Sequence, residues 1–200
     1  EKRFSKFLLL DKKRYCGIMT EMDGKEMNRL FYRGLEVIQK STIKFAKEKL
    51  EELIKLIMIE EKDTDYITEW LRSLMKETFE RKFDSNEITI AFKMSRPSDS
   101  YKTTLPHIRL AKELIKKKML IDVKEEKNSW TQIKYIVLDK DGRKEVLPED
   151  YNGRFDRDYY WNTKIFSPVK RILDARYQDI DWGGVEKDLN NRRNQLSLFN

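Results

Sequence analysis

The 200-residue sequence is poor in the residues that cross-link a chain or build metal clusters. It contains one cysteine, Cys16, and one histidine, His107. A single cysteine excludes an internal disulfide and favours a reducing compartment. A lone histidine argues against acid–base catalysis by imidazole, and no cysteine–histidine metal cluster can be assembled. No run approaches the roughly 20 apolar residues of a membrane span, so no membrane partner is expected.

Positive charge, by contrast, is in excess. Lysine and arginine total 42 against 35 aspartate and glutamate residues, a formal net charge of +7. A basic excess favours polyanionic partners, with nucleic acid first. The charged fraction of 38% also fits a solvated, lysine-rich surface of the thermophile type. Charge alone therefore leaves nucleic-acid binding and a solvated surface as open alternatives.

Hydrophobic periodicity predicts an α+β fold that is mostly helical, with a small antiparallel β element at the N-terminus. Turn signals and capping residues place the boundaries. The predicted elements are a hairpin or meander within residues 7–32, helices over 43–57 with Ser41 as N-cap and from about 65 to 79 capped by Asp63 or Asp65, a strand over 88–92, a helix over 106–119, a strand over 133–138, a helix over 159–175 kinked by Pro168, and a polar tail from Trp182.

The first segment suited to phosphate binding comprises Lys12, Lys13, Arg14 and Tyr15, at the start of a predicted strand. Alternation would place Lys13 and Tyr15 on one face of that strand and the other two on the opposite face. The cations can neutralise phosphates, and the tyrosine can hydrogen-bond or stack alongside. The alternative is an edge strand that its charges protect from unwanted pairing.

A second basic segment leads from a predicted strand into a helix N-terminus, a position that attracts anions. Ser95, Arg96, Tyr101 and Lys102 lie in the connecting loop, and His107 lies in the first helical turn. His107 could donate to a phosphate, or it could be a capping or packing histidine.

The triplet Asp63-Thr64-Asp65 resembles a carboxylate pair that could bind Mg²⁺. Its position between two amphipathic helices favours a helix-capping turn instead. No metal site is therefore predicted in this chain.

Taken in order, these segments resemble the C-terminal part of family B DNA polymerases of archaeal or eukaryotic type. Several short elements of that family match, and together they cover approximately residues 4–175. The matching segments are KKRYCG from Lys12, RGLE from Arg33, the stretch from Ser95 to Ile108 with its SRP, YK and PHI elements, IKYIVL from Ile133, and DRDYY with PVKRIL between Asp156 and Leu173.

The resemblance implies an edge of the palm domain over residues 1–40, a thumb domain over 41–180 and a C-terminal tail over 181–200. It implies duplex DNA as the partner that these domains hold. One departure is that the family's R-R-D stretch after RGLE is replaced by Gln39-Lys40-Ser41 here, which keeps one cation. The residues implied to bind DNA are Lys12, Lys13, Arg14, Tyr15, Arg33, Lys40, Ser95, Arg96, Tyr101, Lys102 and His107.

The family's catalytic segments, D-x-x-SLYPS and YGDTDS, and its nucleotide-binding helix precede the KKxY element, and none occurs in this sequence. The chain also starts at Glu1 without methionine. The resemblance therefore implies a DNA-directed DNA polymerase whose catalytic portion is another chain or region, with no catalytic residue here and no activity for this chain alone. Mg²⁺ would serve the assembled polymerase and would not be bound by this chain. The polymerase would lie in the cytoplasm of an archaeal-type cell, at the nucleoid. The alternative is a stand-alone basic nucleic-acid-binding scaffold.

The end of the sequence carries one further short motif. Gln195, Leu198 and Phe199 resemble the beginning of a clamp-binding peptide, without its closing aromatic pair. A tail segment of this kind binds a hydrophobic groove, so a sliding clamp is a further expected partner.

Overall fold

The computed structural model describes residues 1–102, 105–124, 129–139, 141, 144–177 and 180–197, with side chains in the last range described to Asn191. The fold is α+β, as predicted, with two antiparallel three-stranded sheets. The helices and strands are β1 (Lys2–Asp11), β2 (Arg14–Met22), β3 (Lys25–Arg33), α1 (Lys44–Met58), α2 (Thr64–Glu80), α3 (Ser85–Ile88), β4 (Ile90–Met94), α4 (Pro106–Lys116), β5 (Thr131–Asp139), β6 (Lys144–Val146), α5 (Arg157–Tyr159), α6 (Ser167–Arg176) and α7 (Trp182–Ser197).

The chain divides into two compact units. The first contains residues 1–39, 46–81 and 160–200, and the second contains residues 40–45 and 82–159. None of the described helices combines the length and the apolar character that a bilayer span requires.

The N-terminal meander of the first unit confirms the predicted β element. Its order is β1-β2-β3, and the register pairs Leu8 with Cys16 and Cys16 with Tyr32. Directly paired residues share a face of an antiparallel sheet. These three side chains therefore lie on one face, and Cys16 is fully buried there. Burial raises the pKa of the Cys16 thiol to about 11, so that it stays protonated near neutral pH.

One prediction for this sheet is wrong. Lys12 and Lys13 form the two-residue turn between β1 and β2 instead of starting a strand. Lys13 has a φ of 65°, a left-handed conformation that strand residues do not adopt. The expected alternation across the segment therefore begins only at Arg14.

Helices of the first unit build its core from residues at helical spacing. Ile57, Ile67, Leu71, Ile172 and Leu173 are each almost completely buried. Contacts join α2 to α7 and α6 to β1. Such burial supplies most of the stability of amphipathic helices.

One predicted boundary in the helices needs correction. The first residue of α1 is Lys44, so Ser41 is too early to be its N-cap. Pro168 lies in the first turn of α6, where its missing N–H is tolerated, and a π-helical segment, Tyr160–Phe166, precedes it. Helical backbone is continuous from Arg157 to Arg176, which confirms the predicted helix, and the kink at Pro168 stays a prediction.

The C-terminal residues expected to be a polar tail instead form α7. Leu189 of this helix is buried, and the Asp188 carboxylate accepts from the Arg72 guanidinium of α2 at 2.7 Å. Glu186 of this helix also pairs with Lys170, and its Trp182 ring packs edge-on against Phe166. Periodicity alone did not predict these contacts.

In the second unit β4, β5 and β6 form a sheet in that order. The strand predicted at 88–92 begins two residues later, because Ser85–Ile88 is a short helix whose Glu87 carboxylate accepts from the Asp84 N–H at 2.9 Å. The prediction of β5 is confirmed, and β6 was not predicted. The predicted helix from Pro106 is confirmed but ends at Lys116.

Candidate nucleic-acid interface

Four of the predicted site residues gather at one end of the N-terminal sheet. Lys12 and Lys13 are exposed in the β1–β2 turn. Arg33 ends β3, and its Cα is the register partner of Tyr15. The turn and the two strand ends therefore present three exposed cations beside an aromatic side chain, an arrangement that can bind a phosphate backbone.

Arg14, in contrast, is committed to contacts within the chain. Its Nε donates to the Gly34 carbonyl at 3.1 Å, and its Nη2 donates to the Glu36 carboxylate. The Arg14 side chain is 25% exposed and that of Glu36 is 13% exposed. Glu36 also forms an ion pair with Arg171 of α6, with a nitrogen–oxygen distance of 2.9 Å. Glu36 belongs to the RGLE segment, but the sequence alone predicted no role for it.

Tyr15 belongs to a group of four aromatic rings on the opposite face of the sheet from Cys16. Its ring centroid lies 5.1 Å from that of Phe7 and 6.1 Å from that of Phe31, and Phe4 packs edge-on at 6.2 Å. Phe7 remains 52% exposed. Tyr15 is thus held by neighbouring rings while staying half-buried.

Tyr32 faces the other way. Burial raises its pKa to about 12, with smaller contributions from Glu51 and Cys16. The phenol is therefore neutral over the physiological pH range.

In the second unit, a loop after β4 carries another group of predicted residues. Ser95, Arg96 and Lys102 are exposed, and the Arg96 guanidinium lies 5.8 Å from the centroid of the Tyr101 ring. This distance fits a cation–π contact.

The shape of that loop is set by a carboxylate that the sequence analysis did not identify. Asp122 accepts from the Ser98 backbone N–H at 3.0 Å and from the Ser98 hydroxyl at 2.8 Å. Ser98 is buried. These two hydrogen bonds therefore fix the position of Ser98, and with it the backbone of the loop residues on either side.

His107 lies in the first turn of α4, as predicted, but it is only 6% exposed. Its ring stacks on Phe92 with a centroid distance of 3.6 Å and lies 6.0 Å from Tyr135. This environment is that of a packing histidine. A phosphate contact by His107 stays a prediction.

The remaining predicted residues are Lys40 and the three residues of the expected clamp-binding peptide. Lys40 is exposed in the turn before α1. The backbone of Gln195 is part of α7. Leu198 and Phe199 lie outside the described residues, so the clamp-binding peptide stays a prediction.

A neighbouring pair was missed by the sequence analysis. The Lys93 ammonium lies 4.6 Å from the centroid of the Trp130 ring, and Trp130 is 56% exposed. Trp130 directly precedes Thr131, whose Cα pairs with Met94. A lysine and a tryptophan at adjacent ends of two paired strands could have signalled this contact, had the register been known.

Carboxylates do not converge on a metal position in the part of the chain that the structure describes. No group of three or more histidine, cysteine, aspartate or glutamate side chains there could hold an ion. Asp63 caps α2, accepting from the Tyr66 N–H at 2.9 Å, which confirms the capping interpretation of Asp63-Thr64-Asp65.

Comparison with known protein families covers the region that contains both basic groups. The model of DNA polymerase family B matches residues 1–176. The chain belongs to DNA polymerase family B. Both the N-terminal β1–β2 turn and the loop after β4 of this family B chain lie inside the match.

Curated relatives of the family B chain are similar over most of its length. A DNA polymerase of Thermococcus litoralis is 28% identical over 189 residues, which are 88% of this chain and 10% of the relative. A DNA polymerase of Methanocaldococcus jannaschii is 26% identical over 86% of this chain and 10% of its own length. The DNA polymerase delta catalytic subunit of Plasmodium falciparum is 25% identical over 90% of this chain and 16% of its own length. The chain thus spans about a tenth to a sixth of these relatives.

Proposed function

We propose that this chain forms the palm edge and the thumb of a DNA-directed DNA polymerase and holds its primer–template duplex. The observation that carries the proposal is that two groups of exposed cations, at the β1–β2 turn and in the loop after β4, lie within the region matched to family B. A polymerase must accept any sequence. Its duplex contacts therefore go to phosphates and the minor groove, which cations supply without reading bases.

The two groups would contact different stretches of the duplex. Lys12, Lys13, Arg14 and Tyr15, with Arg33 beside them, keep the primer terminus aligned. Farther upstream the thumb loop holds the backbone. The loop residues assigned to that contact are Ser95, Arg96, Tyr101, Lys102 and His107, and Lys40 adds a cation at the base of the thumb.

Chemistry is assigned to the remaining, catalytic portion of the polymerase, in another chain or region. Mg²⁺ bound there stabilises the attacking and leaving oxygens of phosphoryl transfer. The described residues of this chain offer no carboxylate cluster for it. This chain contributes positioning, and by itself it does not extend a primer.

Two further assignments complete the proposal. The segment that contains Gln195, Leu198 and Phe199 binds a sliding clamp through its apolar side chains. The assembled polymerase works at the nucleoid of an archaeal-type cell, in the cytoplasm.

Primer extension by reconstituted polymerase tests this function. The chain is mixed with a purified polypeptide that carries the catalytic segments of the same polymerase, and extension of a labelled primer is followed with Mg²⁺ and all four nucleotides. We expect extension only when both polypeptides are present.

Two other outcomes would contradict the proposal. Extension by this chain alone would show that it contains its own catalytic residues. Tight duplex binding with no effect on extension would favour the stand-alone nucleic-acid-binding scaffold.

A further inference from the structure

Glu36 lies at a junction between three parts of the first unit. It begins a short 3-10 turn that follows β3 after Gly34 and Leu35. Its Oε1 atom accepts a hydrogen bond from Arg14 at the start of β2 and forms an ion pair with Arg171 in α6. One carboxylate oxygen thus holds two guanidinium groups that come from distant positions in the sequence.

Arg14 connects Glu36 to the Lys12–Lys13 turn. It directly follows Lys13, and its Nε also donates to the Gly34 carbonyl at 3.1 Å. The backbone of Gly34 in turn approaches the Lys13 carbonyl so closely that a Cβ there would lie 2.4 Å from the carbonyl oxygen. The turn is therefore fastened on its inner side by the Gly34–Glu36 segment, while the Lys12 and Lys13 side chains remain exposed.

Burial makes the carboxylate the critical member of this group. Glu36 is the least exposed of the three side chains, and Arg171 is the most exposed. A charge pair away from bulk water is screened less than a surface pair, and loss of one partner leaves the other charge poorly solvated. Removing the charge of Glu36 should therefore release both guanidinium groups, and with Arg14 the turn that it adjoins.

We propose that Glu36 is a positioning residue for DNA binding: it holds Arg14, and through Arg14 it keeps the Lys12–Lys13 turn in the conformation that contacts the phosphate backbone. The proposal rests on the assignment of that turn to DNA above. It also gives an acidic residue a favourable effect on the binding of a polyanion, which is the opposite of its direct electrostatic effect.

The test compares Glu36→Gln with Glu26→Gln in the 200-residue chain. Glu26 is an exposed glutamate near the other end of the same sheet, so both variants lose one negative charge. Affinity for a fluorescent primer–template duplex is measured by anisotropy at several salt concentrations. If charge alone matters, both variants bind more tightly. If Glu36 positions the turn, Glu36→Gln binds more weakly, on the order of fivefold, while Glu26→Gln does not.

The salt dependence separates positioning from loss of the fold. Each phosphate contact contributes about 0.9 to the slope of log affinity against log salt, so Lys12→Ala/Lys13→Ala should reduce the slope by about 1.8. We expect Glu36→Gln to reduce it by about 0.9, the equivalent of one contact. Circular dichroism at the assay temperature confirms that each variant is folded. A destabilised but folded chain with an unchanged slope would overturn the proposal.

A double-mutant cycle tests the route through the turn. Glu36→Gln introduced into Lys12→Ala/Lys13→Ala should cause no further loss of affinity, because the contacts that it controls are already absent. Additive losses would show that Glu36 acts elsewhere and would contradict the proposal. Arg14→Lys, which keeps the charge but not the forked pair of donors, should weaken binding as Glu36→Gln does.

The failure of the inference differs from the failure of the proposed function. If Lys12→Ala/Lys13→Ala itself leaves affinity and slope unchanged, the assignment of the turn to DNA is wrong. If that variant weakens binding and Glu36→Gln does not, only the positioning role is wrong.

Discussion

Gly34 determines how closely the segment after β3 can approach the β1–β2 turn. Its φ is +66°, in the region that glycine enters without steric cost, and a Cβ would lie 2.4 Å from the Lys13 carbonyl oxygen. Gly24, in the turn between β2 and β3, has a similar φ of +78° but no atom within 4 Å of the Cβ position. Both glycines thus adopt a left-handed backbone conformation, but only Gly34 lacks room for a Cβ atom.

Alanine at these positions should separate the two effects. Gly24→Ala should lower the free energy of unfolding by about 1 kcal/mol, since only the left-handed conformation is penalised. Gly34→Ala should cost at least about 2 kcal/mol, because the Lys13 backbone must also move. Urea unfolding of both variants measures the difference. Equal losses would show that the close approach of Gly34 to Lys13 does not constrain the turn.

Capping sets where α2 begins and removes the ambiguity of an acidic triplet. The Asp63 carboxylate accepts from the Tyr66 N–H, and Asp65 lies in the first turn, where a negative charge interacts favourably with the helix dipole. Both carboxylates therefore have structural roles at one helix terminus.

Substitution of Asp63 should affect stability in the way an N-cap does. Asp63→Ala should lower the free energy of unfolding by about 1 kcal/mol, because the Tyr66 N–H loses its partner, whereas Asp63→Asn should cost little. Thermal unfolding with and without Mg²⁺ checks this. A clear rise in the melting temperature of the wild-type chain with Mg²⁺, absent in Asp63→Asn, would favour the metal-site interpretation that we rejected.

At the scale of the whole molecule, the predicted DNA-binding cations form one group in each compact unit, at the β1–β2 turn and in the loop after β4. A diffuse basic surface would attract DNA through many equivalent lysines. A defined DNA-binding surface would depend on particular lysines. Lys102 of the loop after β4 and Lys116 at the end of α4 are both exposed and both belong to the second unit.

These two lysines allow a matched comparison. Duplex binding should weaken as salt increases and be alike for two unrelated sequences, because the contacts go to phosphates. Lys102→Ala should reduce the salt slope by about 0.9, and Lys116→Ala should leave it unchanged. Filter binding over a salt series measures both. Equal effects of the two substitutions would point to diffuse attraction and against a defined thumb contact.

The sequence predicted those features that depend on near neighbours. Helical spacing located α1, α2 and α4, and the alternating run from Ile133 located β5. Predicted boundaries were wrong where a competing local structure formed, as with the short helix Ser85–Ile88 before β4. The N-terminal turn also failed, because an unbroken run of cations gives no sign that Lys13 takes a left-handed conformation.

By itself, the sequence determined the fold class and, through the order of short motifs, the membership in DNA polymerase family B. Only the tertiary structure decided what several motif residues do: Arg14 binds Glu36, His107 packs on Phe92, and the C-terminal segment docks through Asp188 on Arg72. The physical reason is the separation along the chain over which each effect acts. Periodicity and capping act within a few residues along the chain, whereas an ion pair or a stacked ring depends on which distant segments the folded core brings together.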